Sequence, residues 1–155
     1  MKKTFLFLVA SLLLCVSCEK TPINQWKNLY DFTRADIIGH YEANPDESVY
    51  EPLPTPGVVF YDNAVVDITA VSENQFSMHL FIPDMLNRFF TGALDTTSHY
   101  SGFILRNYNE EVFVTTYTNS QNQVRLDGYL KHYHYNSDGV LTDSDFYGFD
   151  VIKQE

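Results

Sequence analysis

Apolar and polar residues trade places step by step along most of this chain, and a period of two admits little besides β-strand. Phe76, Met78, Leu80 and Ile82 alternate with Gln75, Ser77 and His79. Val66, Ile68 and Ala70 share one face, with Asp67 and Thr69 on the other. Phe103 and Leu105 alternate with Arg106, and Val112 and Val114 with Thr115. Val124, Leu126, Gly128 and Leu130 oppose Arg125, Asp127 and Lys131. Strands are therefore expected over Ile37–Ala43, Val58–Tyr61, Ala64–Val71, Gln75–Ile82, His99–Arg106, Glu111–Thr118, Gln123–Tyr135 and Val140–Lys153. Polar groups such as Tyr61-Asp62-Asn63, Ser72-Glu73-Asn74 and Asn119–Asn122 punctuate them as turns. The expected fold is all-β: an antiparallel meander of about eight strands, closed as a barrel or stacked as a β-sandwich.

Two segments interrupt the pattern. Asn44–Pro56 contains Pro45, Pro52, Pro54 and Pro56, which suits a stiffened loop and excludes a central strand. Pro83–Leu94 reads PDMLNRFFTGAL, with proline fitted to a first helical turn and Gly92 to its end. Met85, Leu86, Phe89 and Phe90 then form one apolar stripe, which predicts a short inserted helix near 83–92. Such a helix would cover one end of a barrel, either as a lid or as part of the core. Inward Phe76, Met78 and Phe103 would line the interior and fill it at least in part.

The first twenty residues carry an address. Lys2 and Lys3 precede an apolar run from Phe5 to Leu14, shorter than the roughly 20 residues that span a bilayer. This is a secretory segment rather than part of the fold. Val16-Ser17-Cys18 resembles the lipobox of bacterial lipoproteins, although Cys15 stands where that family usually has leucine. The resemblance implies a signal peptide over 1–17 and diacylation of Cys18; the polar stretch that follows reads as a tether over 18–30, and the strands as one β domain over 31–155. Two acyl chains anchor a protein stably. The chain has two cysteines, so lipidation of Cys18 would leave the mature domain without a disulfide. Core burial alone must then stabilise roughly 135 residues, an ordinary size for one domain.

Charge narrows the partners. Ten basic against 20 acidic residues disfavour nucleic acid, which needs basic patches, and charge-driven adhesion to anionic headgroups. No G-x-S-x-G, H-E-x-x-H, phosphate-binding loop or dinucleotide fingerprint is present. His40, His79 and His99 stand apart, and Asp46-Glu47 and Glu110-Glu111 read as solvated carboxylates in turns. No cofactor is implied, and the chain does not read as an enzyme.

One stretch gathers potential ligands: HYHYNSDGVLTDSD, residues 132–145. Inward parity continues from Leu130 to His132 and His134, and Asp138-Gly139 signals a hairpin. A two-residue turn sets His134 opposite Asp143 and His132 opposite Asp145; a four-residue loop sets His132 opposite Asp143. Imidazoles and carboxylates on one face suit zinc or a similar divalent ion. The same residues suit a solvated hairpin tip in which His–Asp pairs hold register. An EF-hand reading fails, because His134 would occupy the first ligand position and the flanks are strands.

The meander, opened by IIGHYEA and closed by FYGFDVIKQE, resembles the calycin-like barrels, lipocalins among them. Gly39-His40-Tyr41 matches their early glycine-x-aromatic stretch, without the usual tryptophan. Size, lipobox and tyrosine-rich strands resemble small lipoproteins of Bacteroidetes bacteria. These resemblances imply an envelope lipoprotein of the outer membrane that binds a small apolar ligand, with Met85, Leu86, Phe89, Phe90, Phe76, Met78 and Phe103 around it. A single acidic residue, Glu19, directly after Cys18 favours a periplasm-facing position. The alternatives are a protein-interaction or inhibitor module, which requires a filled core, and a metal-dependent enzyme at His132, His134, Asp143 and Asp145.

Overall fold

The computed structural model describes residues 25–45, 59–73, 75–93 and 101–155. Cys18, His99, Asp46, Glu47 and the prolines at 52, 54 and 56 lie outside them. The described residues form one sheet of ten strands. In chain order these are β1 (Lys27–Asn28), β2 (Gly39–Ala43), β3 (Val59–Phe60), β4 (Val65–Ala70), β5 (Gln75–Ile82), β6 (Leu86–Ala93), β7 (Gly102–Arg106), β8 (Glu110–Thr118), β9 (Val124–Tyr135) and β10 (Leu141–Lys153). A one-turn helix, α1 (Arg34–Ile37), precedes β2. The order across the sheet is β1-β8-β9-β10-β2-β4-β5-β6, with β7 also on β8. Every pairing is antiparallel except that of β3, which runs parallel to Tyr147–Gly148 of β10.

The all-β antiparallel expectation holds, with β1 and β6 added to the eight strands. The helix near 83–92 does not form. Pro83, Asp84 and Met85 make a tight turn in which the Met85 N–H donates to the Ile82 carbonyl at 3.1 Å. Asp84 takes a left-handed φ of 61°, a conformation that aspartate tolerates in turns. β6 then pairs with β5 along its whole length, from Ile82–Leu86 to Gln75–Ala93. Leu86 and Phe90 are four apart, a spacing that serves a helix face and a strand face alike; both are buried. Phe89 is 64% exposed and Met85 55% exposed, so the helical stripe is divided between the two faces of the sheet. The helix that does form begins at Thr33, whose backbone N–H donates to Asp36 Oδ2 at 2.6 Å, and it delivers Ile37 to the core.

Inward residues of β2 and β4–β10 meet in one apolar core. The sheet bends to enclose it. At Gly128 a Cβ would lie 2.1 Å from the Phe113 carbonyl oxygen and 3.0 Å from the Phe149 ring, so only glycine lets β8, β9 and Phe149 approach this closely. The outermost strands, β6 and β7, face each other: Leu105 fills the space beside Gly92, and Asn107 Nδ2 donates to the Phe89 carbonyl at 3.4 Å. No ladder joins them among the described residues, so the sheet is not closed.

Candidate functional site

β9 and β10 outrun their neighbours. The β8–β9 ladder starts at Glu110–His132, and β3 meets β10 only at Tyr147 and Gly148. Beyond these points the two strands continue as a ribbon, closed by a loop in which Asn136 Oδ1 accepts from the N–H groups of Asp138 and Val140. Gly139 takes a left-handed φ of 74° there. His134 stands opposite Asp143 and His132 opposite Asp145, the register expected of a two-residue turn. A five-residue connection reaches it through a bulge between Leu141 and Asp143.

Within the ribbon His134 bonds along a diagonal, whereas His132 bonds its register partner on β8. His134 Nε2 lies 2.7 Å from Asp145 Oδ2. Asp143 turns back to accept the Ser144 N–H at 2.7 Å. His132 Nδ1 lies 3.0 Å from Glu110 Oε1, which also accepts from Arg88 Nε at 2.7 Å. Asn107 Nδ2 donates to Glu110 Oε2 at 3.4 Å. Glu110 is therefore no solvated turn carboxylate: it is 4% exposed, beneath the ribbon. Burial pushes its proton affinity up, but the hydrogen bonds from Arg88 and His132 prevail and hold its pKa below the ordinary value. The alternation that places Val112 and Val114 inward also points Glu110 inward, so the signal was present in the sequence. Its neighbour Glu111 accepts from Arg106 Nε and the Tyr133 hydroxyl, both at 2.6 Å. The Tyr133 hydroxyl is pushed up to about 12, chiefly by that hydrogen bond.

His132, His134, Asp143 and Asp145 thus share one face without converging on one point. Among the described residues, no group of three or more His, Cys, Asp or Glu side chains is placed to hold a metal ion. The seven residues expected around an apolar ligand also separate. Phe76, Met78, Leu86, Phe90 and Phe103 are buried in the core, with Phe76 edge-on to Phe103 at 5.3 Å. Phe89 instead lies outside, stacked on His79 at 4.2 Å. Met85 borders an open depression of about 540 Å³, shared with Val59, Tyr61 and residues 143–147 at the base of the ribbon.

Two polar groupings on the outer face were not foreseen. His40 and His79 flank Asp67, with His40 Nδ1 2.6 Å and His79 Nδ1 3.7 Å from its carboxylate. The hydrogen bond that the His40 ring donates to Asp67 raises the His40 pKa. Arg125, expected on a wet face, is buried there with Asp150 in a two-bond ion pair of 2.8 and 2.5 Å. The Arg125 guanidinium lies between the rings of Trp26 and Tyr117. Beside this pair Asp127 is pushed up to about 6, by burial first and by the Asp150 charge second, against the pull of Arg125.

Among the described residues no helix is long and apolar enough to cross a membrane. Comparison with models of protein families, with curated proteins and with solved structures finds no match to the chain.

Proposed function

We propose that this chain is a lipid-anchored envelope protein, diacylated at Cys18 and facing the periplasm from the outer membrane, whose β domain is a non-enzymatic interaction module. The observation that carries this reading is the β9–β10 ribbon. Residues 133–146 extend past the core, and Tyr135, Val140 and Leu141 at the tip are exposed. An extension that buries little adds little to stability, whereas apolar residues exposed together mark a surface for a partner. The packed interior points the same way. A carrier of the calycin kind needs an empty chamber, and here Phe76, Met78, Leu86, Phe90 and Phe103 pack into the core instead. Binding of a small apolar ligand in that interior is therefore the weaker reading.

A photo-crosslinking residue in place of Tyr135 or Leu141, introduced in the native host, tests the ribbon. Val71, exposed at the β4–β5 turn, is the control position. One envelope protein captured from both ribbon positions and not from 71 supports the reading. The reading fails if the ribbon captures nothing and a small apolar molecule co-purifies, released only on denaturation. Cys18→Ser tests the anchor separately: the protein should lose acyl labelling and leave the membrane fraction.

A further inference from the structure

We propose that His132 and His134 form a two-imidazole site for a first-row transition ion, Cu²⁺ in preference to Zn²⁺, in which Glu110 and Asp145 orient the rings and do not ligate. The two residues project from the same face of β9, and their ring centroids are 4.8 Å apart. Imidazoles bound to one ion through nitrogens about 2.0–2.1 Å from it, at adjacent positions, bring their centroids to roughly 5 Å. The observed spacing matches that of two imidazoles on one ion.

The carboxylates assign the protons. Glu110 accepts at His132 Nδ1 and Asp145 at His134 Nε2. An ionised carboxylate only accepts, so in each neutral ring the proton sits on the bonded nitrogen. The lone pairs are left on His132 Nε2 and His134 Nδ1, neither of which has a protein partner among the described residues. A carboxylate behind an imidazole is the arrangement that orients metal-binding histidines and raises their basicity. Access is open, since the side chains of His132 and His134 are 24% and 44% exposed. Among the described residues no third His, Cys, Asp or Glu converges with them, which sets the class of site: two protein nitrogens, with water or a partner's donor completing the coordination. Among ions suited to imidazole, Cu²⁺ stands highest in affinity order.

The test is a Cu²⁺ titration of the full chain in detergent at pH 7.5, followed by electron paramagnetic resonance with pulsed detection of coupled imidazole nitrogens. The expected result is one site with two imidazoles in the wild type, and one imidazole with at least tenfold weaker binding in His134→Ala. Glu110→Gln keeps both ligands but removes the charge behind His132, and it should weaken binding about tenfold. His40→Ala with His79→Ala should leave the spectrum unchanged. A signal that survives His134→Ala, or that disappears only with His40 and His79, overturns the assignment.

Discussion

Asp127→Asn should stabilise this protein at neutral pH and stop doing so in mild acid. Asp127 stands opposite Asp150 in the β9–β10 ladder, and Arg125 already serves Asp150 with two hydrogen bonds. Its carboxyl is pushed from 3.8 to about 6. A displacement of one pH unit is worth about 1.4 kcal/mol, so the ionised group costs the fold roughly 3 kcal/mol at pH 8. The sign follows from proton binding: with its affinity raised by folding, the native state holds the proton more tightly than the unfolded chain. Stability is therefore lost as pH rises from 3.8 through 6, and the loss is complete above that range. At pH 4.5 the cost is only about 1 kcal/mol. The buried amide of asparagine takes back about 1 kcal/mol at either pH. The net gain should thus be roughly 2 kcal/mol at pH 8 and near zero at pH 4.5, read from urea unfolding at both values. Equal gains at the two pH values, or no gain at pH 8, would refute the assignment of Asp127 as a raised carboxyl.

Arg125→Leu leaves Asp150 buried with Asn44 as its remaining side-chain partner and strips the cation from between Trp26 and Tyr117; a loss of about 3–5 kcal/mol in urea unfolding is expected. Gly128→Ala forces a Cβ onto the Phe113 carbonyl, and it should cost about 1–3 kcal/mol and lower the midpoint of thermal unfolding. Proton resonances of His40 should titrate above 6.5 in the wild type and fall back towards that value in Asp67→Asn, because the Asp67 hydrogen bond is the main cause of the shift. The stabilisation from this contact is present below 6.5 and is lost as pH rises through the folded value.

The strands were legible because each inward apolar series answers to one period. β6 was not, because Leu86 and Phe90 satisfy two periods and Pro83 and Gly92 fit a helix as well as a turn and a strand crowded by Leu105. The pairing of His134 with Asp143 was readable from the Asp138-Gly139 turn, although the bulge that restores this register was not. Glu110 could have been found by extending the parity of Val112 back by one step. The burial of Arg125 and Asp150 could not, since it depends on Trp26 and Tyr117 covering an outer face that alternation alone labels wet. The parallel docking of β3 likewise depends on a tertiary return that no local pattern encodes.

The placement of β1 has a mechanical consequence. It pairs with Tyr117 and Thr118, at the end of β8 remote from Glu110 and the ribbon. β9 runs the full distance between these ends in 12 residues, about 36 Å of extended chain. A pull on the ribbon, resisted by whatever holds the chain before Trp26, is directed along β9 rather than across it. The β8–β9 ladder then carries the force in shear, many hydrogen bonds at once, instead of opening one at a time as a zipper does. The same strand that displays the ribbon is thus the member best placed to transmit tension through the molecule without unravelling it.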